Sequence, residues 1–302
     1  GIRVLGIEDR EVPLVQFSLR FDGGMLLDDP DQVGVANLLA QTMTQGTANR
    51  TPEELELAIQ LLGASINVNA GRGSFTVSGS TLARNWAETL ELVREIVLEP
   101  RFDSAEFELA RRRVENQAQQ RLGNPNAIAT AAFNRLLYGD HILAEDAGGS
   151  LATLSRITLA DLRAWHARNL HPELAAFHLA GAVSRDETLR GLRGMGGAWG
   201  PDAVPALPAD PAPGSSATGL YFVDVPGSAQ SVLRIGYLAM PEADPEFWPA
   251  QVMNFRFGGG GFASELLLTL REGLGYTYGI GSSFAGGPRP GPFSISTAVR
   301  SN

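Results

Sequence analysis

Cysteine and lysine are both missing from this 302-residue chain, and histidine occurs only 4 times. No uninterrupted apolar run approaches the roughly 20 residues that a membrane-spanning helix needs. Without cysteine there are neither disulfides nor thiolate metal sites, and the redox compartment stays open. Positive charge is scarce: 24 basic residues, all arginine, stand against 33 acidic ones, for a net charge of −9. Nucleic acid and anionic membrane surfaces are therefore poor partners, since neither would be attracted over long range. The arginine-only basic set points to GC-rich coding and a bacterial source, and carries no activity. Arg3 places a charge where a signal peptide would have its apolar stretch.

What is present is 44% apolar residues, enough for a substantial core and for two domains. A Pro-rich stretch, 201–219, reads as an extended linker between a domain over 1–200 and a second over 220–302. Each side begins alike, with a strand, a proline-containing turn, an alternating strand, Asp-Pro and a helix. Val15, Phe17, Leu19 and Phe21 alternate before Asp29-Pro30, as Leu233, Ile235 and Tyr237 do before Asp244-Pro245, at an offset of about 215 residues. The pattern is that of an internal duplication. Within the first half, helices are expected over Val33–Met43, over Pro52 onward with Thr51 as N-cap and Gly63 as stop, and near 84–97, 104–121, 125–138 and 159–168. A hairpin is expected over 64–79 around Ala70-Gly71-Arg72, and a strand near Leu174–Val183. Helices on one face of a largely antiparallel sheet make an α+β layered unit, present twice, with the second short. A second unit equal to the first would run well past Asn302, so the sequence reads as a fragment whose missing start had room for a signal peptide. Periplasm is slightly favoured over cytoplasm.

Two stretches carry chemistry. Gly34–Thr47 reads GVANLLAQTMTQGT, and Phe257–Phe284 reads FGGGGFASELLLTLREGLGYTYGIGSSF. The first resembles the H-x-x-E-H zinc helix of the insulinase, pitrilysin and mitochondrial-processing-peptidase family of zinc metallopeptidases, with every metal-handling side chain replaced. The three positions are Asn37, Ala40 and Gln41. The family's third ligand, a glutamate on a later helix, falls on Gln117 when FDSAEFELARRRVENQAQQRL is aligned on Phe107 and the arginine run. Neutral amides are poor zinc ligands and alanine takes no proton, so the resemblance implies a fold without metal or catalysis in this chain.

The second stretch resembles the other half of the family's site, a glycine-rich turn (Gly259, Gly260 and Gly261 among its members) followed by Arg271 and, seven residues on, Tyr278. In the family such a pair binds the peptide backbone at the scissile carbonyl, and the two halves of a site can sit on different chains. A guanidinium and a phenol can donate to a carbonyl oxygen that gains charge under attack. Taken on their own, Arg271 reads as the polar edge of an amphipathic helix and Tyr278 as a strand aromatic with no ligand. The resemblance implies a non-catalytic, substrate-binding subunit closing a chamber with a zinc-bearing homologous partner, as a heterodimer acting on short or unfolded peptides. A strand edge near Gly73–Gly79 would pair with the peptide backbone. A scaffold without proteolytic function and a free-standing peptide-binding module are the alternatives.

Other candidates are weaker. Gly258–Gly261 before a helix suggests a phosphate cradle, but no Gly-Lys-Ser/Thr follows. His166, His171 and Glu173 suggest a metal, yet Pro172 ends the helix there and the five-residue spacing turns the two rings apart. Asp28, Asp29 and Asp31, with Glu8 and Asp9, read as solvated turns and not as a calcium loop. Glu108, Arg111, Arg112 and Glu115 read as an ion-pair ladder. His141 sits in a Tyr-Gly-x-His segment like one that often lines the family's cavity entrance, but the residues after it depart from the pattern.

Overall fold

The computed structural model describes residues 1–196, 203–211 and 218–300. In chain order its elements are β1 (Arg3–Glu8), β2 (Leu14–Asp22), α1 (Val35–Met43), α2 (Pro52–Leu61), β3 (Ser65–Ala70), β4 (Ser74–Leu82), α3 (Trp86–Leu98) and α4 (Ser104–Leu122). Then come α5 (Pro125–Tyr138), α6 (Leu151–Leu154), α7 (Leu159–Asn169), β5 (Ala175–Gly181), α8 (Arg185–Gly196), β6 (Gln230–Leu238), α9 (Phe247–Asn254), α10 (Glu265–Leu267), β7 (Thr277–Phe284) and β8 (Pro292–Arg300). They gather into two compact units, Gly1–Ala118 with Asp146–Pro208, and Gln119–Glu145 with Ala209–Asn302. The segment with α5, which the linear division puts in the first domain, thus packs with the second sheet.

The first unit holds a five-stranded sheet in the order β1-β5-β2-β4-β3, antiparallel except for the β1–β5 pair. Alternation along β2 decides which face is covered: Val15, Phe17, Leu19 and Phe21 are all buried in one apolar core with residues of α1, α3, α4 and α7. Trp86 of α3 meets Phe17 edge-on at a centroid distance of 5.7 Å. Local signals set the ends. Thr51 and Glu54 form a reciprocal capping box on α2, and the β3–β4 turn closes with Gly71 N–H donating to Ser74 O at 2.8 Å.

The second unit repeats part of this plan. Its sheet runs β6-β8-β7, which matches β2-β4-β3 strand for strand, and α9 follows β6 as α1 follows β2. α5 lies against β6, where Arg234 Nη2 donates to Thr130 Oγ1 at 3.1 Å. Two sequence expectations differ here. The opening strand of the second half is absent, residues 220–225 being neither helix nor strand. In the first unit β1 pairs with β5, and the described residues of the second unit hold no counterpart of β5. Leu233, Ile235 and Tyr237 do alternate, but they stand exposed. Of the expected linker, 201–202 and 212–217 lie outside the described residues, while 203–211 carry no regular structure.

Candidate functional site

α1 carries Asn37, Ala40 and Gln41. Asn37 and Gln41 are half-buried, whereas Ala40 belongs to the apolar core. Gln117, on α4, is exposed, because the buried face of that helix is Phe107, Ala110, Val114 and Ala118. Fitted to zinc, this set fails: it offers two amides, a methyl group and a third amide, with no anionic ligand and no base. Among the described residues no group of three or more His, Asp or Glu could hold a metal ion.

The start of α1 is fixed by a side chain that sequence reasoning put in a solvated turn. Asp28 is buried, and its carboxylate accepts from Gly34 N–H at 2.8 Å and Ala36 N–H at 3.2 Å. Burial pushes the carboxyl up to about 7, against the opposing pull of those amides and of Arg168. A carboxylate a few residues ahead of an apolar helix was the available signal. Asp29 does sit in an exposed turn, accepting from Asp31 N–H.

In the second unit, Arg271 and Tyr278 come together. The Arg271 Cζ lies 4.6 Å from the Tyr278 ring centroid and 5.3 Å from that of Phe262, and its Nε is 3.3 Å from Glu272 Oε1. Tyr278 is 84% exposed. It occupies an irregularity in the β7–β8 register between Thr277 and Ile280, a bulge of the kind that re-aims a side chain. Two threonines lock it: Thr277 Oγ1 donates to Ala298 O at 2.8 Å, and Thr297 Oγ1 donates to Gly279 O at 2.9 Å.

The glycine run is shaped by packing. Around it the chain makes two π-helical turns, Phe255–Gly259 and Leu268–Gly273. A Cβ on Gly258 would meet Ser282 Oγ, one on Gly259 would come 2.8 Å from Asn254 Nδ2, and one on Gly260 would meet Phe255 O. Gly261 has φ +59. Buried Asn254 ties this turn to the sheet by donating to Ser282 O at 3.0 Å. The close approaches are to the protein's own atoms, which accounts for the glycines without a phosphate.

The remaining candidates are satisfied internally. His141 accepts from Leu143 N–H through Nδ1 and reaches Ala209 O with Nε2 at 3.0 Å. His166 Nε2 lies 2.7 Å from Val97 O, and burial holds its pKa below the usual imidazole value. His171 accepts from Glu173 N–H. Arg111 pairs with Glu108 and Glu115, while Arg112 is exposed. β4, the strand of Gly73–Gly79, is paired on both sides, so it offers no edge; the outer strand beside it is β3.

Comparison with known proteins places these features. A family model described as insulinase (peptidase family M16) matches residues 3–146, and one described as the peptidase M16 inactive domain matches 156–302. The chain is 24% identical to a non-peptidase homolog, YmxG, of Helicobacter pylori, over 94% of this chain and 66% of that one. It is also 24% identical to an uncharacterized zinc protease of Mycobacterium leprae, over 83% and 56% respectively. The chain thus spans less than two thirds of these relatives. Its fold superimposes on the crystal structure of a peptidase M16 inactive domain from Pseudomonas fluorescens with a TM-score of 0.93 and 27% identity, covering 99% of this chain and 72% of that one. With both halves matched by models of one family, the chain belongs to peptidase family M16.

Proposed function

We propose that this chain is a pseudo-peptidase that binds peptides for a zinc-bearing homologous subunit. The carrying observation is the asymmetry between its two sites. The zinc helix keeps its frame and has no ligand, while the Arg271 guanidinium, from the π-helical turn Leu268–Gly273, lies against the exposed Tyr278 ring on the bulged strand β7. Among the described residues nothing accepts a hydrogen bond from the terminal nitrogens of Arg271, so they are available to a peptide carbonyl. Gly259, Gly260 and Gly261 shape the turn beside the pair and contribute to the same peptide site. The partner carries the intact H-x-x-E-H motif and its zinc, and the two chains form a heterodimer that takes in unstructured peptides. The outer edge of β3, unpaired among the described residues, offers a strand for such a peptide in place of the β4 segment.

The test is hydrolysis of an unstructured fluorogenic peptide by this chain alone, by an M16 partner with an intact motif alone, and by the mixture. Activity that rises only in the mixture, and drops about tenfold or more with Arg271→Ala while assembly persists, is the expected result. Full activity in the Arg271→Ala mixture refutes the role of the pair. A mixture no more active than the partner alone leaves the scaffold reading.

A further inference from the structure

The glycine turn ends by delivering an aromatic ring to the pair. Phe262 follows Gly261 directly and stands 76% exposed, yet its ring centroid is 5.3 Å from the Arg271 Cζ. A ring so exposed gains little from burial, and its defined neighbour is a cation within the range of a cation–π contact. Tyr278 supplies a second ring at 4.6 Å, and Glu272 engages Nε at 3.3 Å. Arginine faces take rings while its in-plane N–H groups take acceptors, and among the described residues none accepts a hydrogen bond from the two terminal nitrogens of Arg271. Arginine otherwise has many rotamers, and each must be given up when a ligand binds.

We propose that Phe262 is a positioning residue of the peptide site. Together with Tyr278 it holds the plane of the Arg271 guanidinium before the peptide arrives, so that the terminal N–H groups meet the carbonyl without reordering. This rests on the reading that Arg271 and Tyr278 bind peptide. It adds a requirement that reading lacks, for an aromatic ring at 262.

The experiment measures fluorescence anisotropy of a fluorescein-labelled disordered peptide titrated with the intact chain and with Phe262→Ala, Phe262→Leu, Phe262→Tyr and Arg271→Ala. Circular dichroism checks that each variant is folded, and side-chain NMR of labelled arginine follows the ring-current shift at Arg271. Expected is binding weakened about two- to fivefold in Phe262→Ala and Phe262→Leu, restored in Phe262→Tyr, with the Arg271 shift reduced in the first two only. Wild-type affinity in Phe262→Leu overturns the inference, because leucine keeps the apolar bulk and lacks the ring. Weak binding by Arg271→Ala alongside normal binding by every Phe262 variant overturns the inference and leaves the peptide site standing. Binding that ignores Arg271→Ala, or no binding by the intact chain, removes the peptide site and the inference with it.

Discussion

Burial opposes the ionisation of Asp28. Its carboxyl is raised to about 7 by burial, so between its unfolded value of 3.8 and pH 7 the folded chain holds a proton that the unfolded chain has released. Stability from this group is therefore greatest in acid, falls as pH rises toward 7, and is level above. His166 works in the opposite sense, since its lowered pKa makes the unfolded chain the better proton binder below about 6.5. Glu53, Asp103, Asp161 and Glu187, all held below their ordinary values, lose their contributions only as pH falls below about 4.5. Comparing wild type with Asp28→Asn at pH 5 and pH 8 cancels everything but Asp28. The variant should gain on wild type by up to about 3 kcal/mol over that interval in urea unfolding. A difference that does not change with pH would mean that Asp28 ionises normally.

At the scale of elements, the turn between α9 and β7 shows how backbone and site depend on each other. Gly260 and Gly261 differ in what they forbid: a Cβ on Gly260 collides with the carbonyl of Phe255, whereas Gly261 has open space and φ +59. Gly260→Ala must move backbone and should cost about 1–3 kcal/mol, against about 1 kcal/mol for Gly261→Ala. Urea unfolding ranks the two, and equal costs would refute the packing account. The same turn marks where the sequence stopped being legible. Periodicity and caps located α2, α4 and α5 nearly to the residue, because a capping box or an Asn-Pro start is a local interaction. The pairing of Arg271 with Tyr278 was implied by the family resemblance, since on their own the two residues read as a helix edge and a strand aromatic. Phe262 and Asn254 were not legible, since an isolated aromatic and an isolated amide carry no periodic signal and act only across the π-helical turns. The edge strand was misassigned for a related reason: hairpin signals pair β3 with β4 and do not say which of them meets β2.

At the scale of the whole molecule, the duplication read from alternation reappears as topology, with β2-β4-β3 in one unit and β6-β8-β7 in the other. The same alternation nevertheless has two energetic meanings. Leu19, in the middle of its row, is fully buried beneath helices that include α3, while Ile235, in the middle of its own, is 59% exposed. Truncating a buried leucine loses transfer energy and leaves a cavity, so Leu19→Ala should cost about 2–5 kcal/mol. Ile235→Ala removes atoms already in water and should cost less than about 1 kcal/mol. Ile235 shares that exposed row with Leu233 and Tyr237. Urea unfolding measures the two costs. A large stability loss for Ile235→Ala in the monomer would show that the row is covered in solution, and would return the two repeats to the same packing.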